Sequence, residues 1–119
     1  MADKDELGRR GERIARERLI ADGHEIIDAN WRCPRGELDI VSRDGDWLVF
    51  TEVKTRSSTR CGHPLEAVTG EKLRRLRELA GRWREANPDA RGRSRIDVVA
   101  VVAPRVGEPE IVVVRAVGP

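Results

Sequence analysis

This sequence predicts an α/β domain, an α+β mixed sheet with the element order αβββαββ, and three observations carry that expectation. Two apolar-rich runs, Leu38 to Val41 and Trp47 to Val53, meet across Asp44-Gly45-Asp46, and Asp-Gly between such runs signals a β-hairpin. Arg95 to Val102 is apolar apart from Arg95 and Asp97, as suits a strand buried on both faces. Two segments with helical apolar spacing stand before the hairpin and between it and that strand. At 119 residues the whole chain, 1–119, is expected to form one domain with a modest core.

Taken in order, Asp3-Lys4-Asp5-Glu6 has the form of a capping box, with Asp3 as cap and Glu6 three residues on. It opens a helix from about Lys4 to Asp22, stopped by Gly23. Ile14, Ala15 and Leu19 mark its buried stripe, with Leu7 and Gly11 weaker members. Glu12 falls on or beside that stripe. A carboxylate turned toward a sheet is costly unless paired or bound. Glu12 therefore snorkels outward, pairs with Arg16, or serves a site to which Gly8 and Gly11 give close access.

His24 to Arg32 reads as the first strand, and Cys33-Pro34-Arg35-Gly36 as the loop that feeds the hairpin. Arg56 to Pro64 reads as an exposed loop, with one helical turn over Pro64 to Val68. Thr69 caps a second helix ending near Asn87, with Leu73, Leu76, Ala80 and Trp83 as its apolar stripe and Lys72 at the edge. Arg74, Arg75, Arg77, Arg82 and Arg84 cover much of the remaining face, either as a solvated surface or as phosphate contacts. A polar loop over 88–94 precedes the apolar strand. Pro104 to Pro109 then turns the chain into a last, peripheral strand, Glu110 to Val117.

The hairpin is unusual in its charges. Side chains alternate between faces along a strand, so Glu37 and Asp39 share one face, as do Glu52 and Lys54. A loop centred on Asp44-Gly45 pairs Arg43 with Asp46, Val41 with Leu48, Asp39 with Phe50 and Glu37 with Glu52. All four charges then point the same way, whereas a slip of one residue would separate them. Like charges opposed on a sheet are destabilising. Three carboxylates and a lysine on one face suit a hard cation such as Mg²⁺; the alternative is a solvated face with an ion pair.

Net charge is only +2, but it is unevenly spread. Residues 56–95 hold eleven Lys or Arg against five Asp or Glu, a balance of +6 that leaves −4 elsewhere. A basic segment beside an acidic cluster suits a protein that grips a polyanion and holds a cation against it. Cys33 and Cys61 are isolated, so neither a zinc site nor a disulfide framework is indicated. There is no Gly-x-Ser-x-Gly, P-loop or dinucleotide fingerprint, and two histidines exclude a histidine-rich metal site. No signal peptide or membrane-length apolar run is present, so the expectation is a soluble cytoplasmic protein without membrane contact.

Gly36-Glu37-Leu38-Asp39-Ile40-Val41 followed by Phe50-Thr51-Glu52-Val53-Lys54-Thr55-Arg56 resembles the split nuclease signature: an acid, a gap, then Asp/Glu-x-Lys. With Gly8-x-x-Gly11-Glu12 before it, and Lys72 and Arg95-Ile96-Asp97-Val98-Val99 after it, the chain resembles the uncharacterised YraN-like bacterial family over roughly residues 8–102. That resemblance implies the restriction-endonuclease-like fold shared with archaeal Holliday-junction resolvases. It implies Asp39 and Glu52 as ligands of Mg²⁺ or Mn²⁺, aided by the backbone carbonyl of Val53. Lys54 would orient or activate water, Glu12 would be a supporting or second-metal acid, and Glu37 would support the ligands from behind. The expected function is that of a Mg²⁺-dependent endonuclease, hydrolysing DNA phosphodiesters, with branched or damaged DNA as candidate forms. Lys72, Arg74, Arg75, Arg77 and Arg56 are the candidate DNA contacts, and a homodimer is left open. The rival expectations are a non-catalytic nucleic-acid-binding accessory protein of the same fold, and a partner-binding domain whose hairpin charges are an ion-pair network.

Overall fold

The computed structural model describes residues 2–117, with side chains from Glu6 onward. The first helix, α1 (Ala2–Ala21), buries Ala15 and Leu19 completely and ends at Gly23, whose φ of 97° suits a residue without Cβ. It reaches back past Asp3, so the expected cap lies inside the helix, where the side chains of residues 2–5 are outside those described. Three antiparallel strands follow: β1 (Glu25–Cys33), β2 (Gly36–Asp44) and β3 (Trp47–Arg56). His63 caps a short 3₁₀ turn over Pro64–Ala67. Thr69 caps α2 (Gly70–Ala86) by accepting the Lys72 N–H.

Strand β4 (Arg93–Val102) lies parallel to β3, which requires a crossover, and α2 supplies it. An antiparallel edge strand, β5 (Glu110–Val114), completes a mixed five-stranded sheet in the order β1-β2-β3-β4-β5. This is the mixed α+β architecture and element order that the sequence predicts, with the last strand three residues shorter than expected. No described helix is long and apolar enough to cross a membrane.

The two helices cover opposite faces. Leu76, Leu79, Ala80 and Trp83 of α2 pack with Val41, Leu48, Phe50 and Ile96. Ala15 and Leu19 of α1 pack with Ile40, Val99 and Val101. Trp83 meets Phe50 edge to face at 5.6 Å, and its indole N–H donates to Asp28 at 2.9 Å. On the other face Gly11 is a point of close approach. A Cβ there would stand 1.9 Å from Thr55 Oγ1, so only glycine lets α1 lie this near the end of β3.

The hairpin register differs from the expected one. Asp44 pairs with Trp47, Val41 with Phe50 and Ile40 with Thr51, so the tight turn is Gly45-Asp46, with Gly45 at φ 60°. Glycine at the first turn position allows the positive φ that Asp44 would have had to adopt in the predicted turn. The loop still has two residues, so each partner shifts by two residues and side-chain parity is kept. Continued past its last rung, this register sets Asp39 against Glu52 rather than Phe50.

Candidate metal centre

The β2–β3 ladder ends at Ile40–Thr51, one step before Asp39. From there the Val53 N–H donates to the Asp39 carboxylate, at 2.8 Å to Oδ2. A side chain has taken the place of a main-chain acceptor, and the strands open around it. On the other side of β2, Asn30 lies between the pairs Ala29–Ile40 and Trp31–Leu38, facing Asp39, with a φ of 53°. Asparagine tolerates that left-handed conformation better than most residues. Strict alternation is broken here as well. Leu38 and Val41 both join the α2 cluster, whereas Ile40 joins the α1 cluster. Apart from the register shift between Ile26 and Asp28 in the β1–β2 ladder, these irregularities of the sheet meet at Asp39.

Around this opening the carboxylates of Glu12, Glu37 and Asp39 come together, each offering an oxygen within 4.8 Å of the others. The close approach at Gly11 is what brings Glu12 to the sheet; it neither snorkels away nor relies on Arg16 alone. Burial raises its pKa, and Glu37 raises it further, against the opposing influence of Arg16 and an Asn30 hydrogen bond. Asp39 is the most perturbed acid. Burial first, and then the neighbouring Glu52, push its pKa up to about 8 despite the hydrogen bond from Val53. Glu37 also meets Arg32, Nε to Oε2 at 2.6 Å, in an exposed pair.

Glu52 is differently placed. Only 6% exposed, it faces two cations: Lys72 Nζ at 3.1 Å and Lys54 Nζ at 3.5 Å from the same oxygen, Oε2. Burial lowers the pKa of Lys54, and adjacent Lys72 lowers it further. Burial also opposes charge on Lys72, but its contacts with Lys54 and Glu52 prevail and raise its pKa.

The structure thus brings Asp39, Glu52, Lys54, Glu12 and Glu37 into one cluster, with Val53 bordering it. The described residues that could jointly hold an ion are Glu12, Glu37 and Asp39, whereas Glu52 is occupied by lysines. An all-oxygen carboxylate set suits Mg²⁺ or Mn²⁺, and the residues present fit such a cation. A cavity of about 530 Å³ opens from Asp39 and Glu52 toward Lys72 and Arg75 at the start of α2. Arg56 lies on the other side of the β3 end, Arg74 is exposed on α2, and Arg77 lines a separate groove with Trp47. Arg82 pairs with Glu78, and Arg84 donates to the Gly92 carbonyl at 2.7 Å. Among the described residues Arg74, Arg75 and Arg77 make no ion pair, which distinguishes them from the structural half of the arginine run.

Asn30 is not singled out by the sequence, because its positive φ has no signature in a strand-like stretch. Lys72, expected as a DNA contact, also meets Glu52, and its seat at the stripe edge early in α2 is the sequence sign of that contact.

The profile of Uncharacterised protein family UPF0102 matches residues 11–101. The chain belongs to UPF0102. Among its relatives, the UPF0102 protein of Beutenbergia cavernae is 56% identical over 119 residues, covering 99% of this chain and 100% of its own. That of Clavibacter michiganensis subsp. michiganensis is 52% identical over 116 residues, covering 98% of each chain. The UPF0102 protein of Frankia alni is 55% identical over 107 residues, covering 90% of this chain and 89% of its own. The UPF0102 match takes in Glu12, both hairpin strands and Lys72.

Proposed function

We propose that this protein is a cytoplasmic, metal-dependent phosphodiester hydrolase acting on DNA. The observation that carries this reading is the convergence of Glu12, Glu37 and Asp39 beside Glu52 and Lys54, at the mouth of a cavity with Lys72 and Arg75 opposite. Like charges crowded at an opened strand pair cost stability, and an arrangement that adds to that cost is explained by what it binds. The resemblance to restriction-endonuclease-like nucleases, which rests on Asp39 and Glu52-x-Lys54, points the same way.

A cation held by Asp39 and its neighbours would supply positive charge against the phosphorane-like transition state and acidify water. The residues do the rest. Lys54, the lysine with the lowered pKa, stands where it can take the proton from water as its oxygen bonds to phosphorus. The ester P–O bond breaks, and the departing oxygen takes up a proton. Lys72 and Arg75 hold non-reacting phosphate oxygens.

A cleavage panel with Mg²⁺ or Mn²⁺ over single-stranded, duplex, flap and four-way DNA tests this reading. Cleavage of at least one form is expected, and its loss in Asp39→Asn and Glu52→Gln. Equal residual cleavage in wild type and both variants would identify a contaminant and end the enzyme reading. DNA affinity should fall with salt, and Arg74, Arg75 and Arg77 replaced by alanine should flatten that slope if α2 touches phosphates.

One observation favours a second reading. Glu52 is already neutralised by Lys54 and Lys72, as expected of a non-catalytic DNA-binding protein. Salt-dependent binding without cleavage of any form would support it.

A further inference from the structure

The cluster is open on both sides. Besides the cavity under α2, a second one of about 440 Å³ lies toward α1, and Val53 and Lys54 border both. Gly8 and Glu12 contribute its α1 wall, while Arg56 and the loop residues Ser57 and Ser58 form the opposite wall. Each cavity falls in the size range of small-molecule sites. Together they make a cleft that passes over the end of β3, with Lys54 at its middle.

Gly8 is the telling residue. A glycine inside a helix is destabilising relative to alanine, and needs a reason. Gly11, three residues on, has one in its contact with Thr55. Gly8 has none within the described chain, because a Cβ there would meet nothing within 4 Å. It stands one helical turn before Glu12 on the same face, and its missing side chain enlarges the second cavity. The opposite wall offers a guanidinium and two hydroxyls, donors that suit phosphate oxygens.

Resting on the hydrolase reading above, we propose that the Gly8–Arg56–Ser57–Ser58 cavity seats the DNA nucleotide on one side of the reacting phosphodiester. The α2 cavity seats the nucleotide on the other side. The site then grips a strand that continues in both directions and cuts it internally, without needing an end.

Two measurements test this. The first is binding of a short fluorescein-labelled single-stranded oligodeoxynucleotide in EDTA, by anisotropy, to wild type, Gly8→Leu, Arg56→Gln and Gly81→Ala. Gly81 also lies inside a helix with open space at its Cβ, but in α2 beside the separate Trp47 groove. Gly8→Leu should melt higher than wild type and yet bind about tenfold more weakly, a difference of about 1.4 kcal/mol. Arg56→Gln should also weaken binding. Gly81→Ala should melt higher with unchanged affinity. The second is incubation of a covalently closed single-stranded DNA circle, and the same DNA linearised, with Mg²⁺ or Mn²⁺. Wild type should cut the circle, and Gly8→Leu should not.

Wild-type affinity and cutting in Gly8→Leu would overturn the subsite, as would failure of the wild type to bind the oligonucleotide. Degradation of the linear DNA from its ends, with the circle intact, would overturn internal cleavage and leave the hydrolase reading standing. If the wild type cuts neither form, the hydrolase reading fails. The subsite, which flanks a reacting phosphodiester, then falls with it; weakened binding by Gly8→Leu leaves a DNA-binding cavity, and unchanged binding leaves none.

Discussion

Two aspartates of one sheet, the buried Asp97 on β4 and the partly buried Asp39 on β2, have opposite surroundings. Asp97, on β4, is fully buried and fully answered. Arg95 grips both of its oxygens at 2.9 Å, and the Ala116 N–H donates to Oδ1 at 3.0 Å. The same arginine reaches Asp44 Oδ2 at 3.0 Å, tying the hairpin turn to β4. Asp39 has one backbone N–H and faces other carboxylates. The first arrangement is how a protein buries charge for structure; the second leaves a carboxyl with no cation paired to it among the described residues. Residue type is shared, and the neighbours make the difference.

The largest expected contrast is in stability. Asp97→Ala leaves the mostly buried Arg95 guanidinium with Asp44 alone and should cost about 3 kcal/mol, the lower end for a broken buried pair. Asp39→Asn relieves repulsion while keeping an acceptor for Val53, so melting in EDTA should be unchanged or raised. If both variants lose stability alike in denaturant titrations, the contrast is broken and Asp39 belongs to the scaffold.

Next in size is the response to metal. Mg²⁺ at a hundredfold above its dissociation constant should stabilise the wild type by about 2.7 kcal/mol. It should do little for Asp39→Asn, and Asp97→Ala should retain the increment if it folds. Thermal melts with and without Mg²⁺ read this out, and an equal rise in wild type and Asp39→Asn would exclude binding at the cluster.

A smaller effect should separate the regions by pH. Asp39 has a folded pKa raised to about 8 from an ordinary 3.8, so its protonated form is favoured by folding. That contribution is complete below the ordinary value and is lost as pH rises from there through about 8, above which it changes no further. Near the other aspartate, His24 is buried with Nδ1 2.8 Å from Ser42 Oγ. Burial lowers its pKa, with Asp44 and Asp97 opposing and Arg95 and Arg115 assisting. Folding therefore favours neutral His24, and stability falls as pH drops through the ordinary value near 6.5. In EDTA, Asp39→Asn should flatten the loss of stability as pH rises toward about 8, and His24→Gln the loss as pH falls below about 6.5. A loss on raising pH that is preserved in Asp39→Asn would assign it to another group.

The sequence determined the element order, the helix stripes and the shared face of Glu37, Asp39, Glu52 and Lys54, because each follows from local periodicity and a two-residue turn. Its segment order also supported the resemblance that the family match bears out. Periodicity does not say where a turn is centred: it lies one residue beyond the predicted place, each partner shifts by two residues, and Asp39 comes to oppose Glu52 rather than Phe50. Nor does it say which carboxylates meet. Glu12 joins Asp39 only because α1 closes on Thr55 through Gly11, and Lys72 joins Glu52 only because the crossover sets the start of α2 above β3. Such meetings depend on distances between elements far apart in the chain. Packing fixes those distances; local sequence pattern does not.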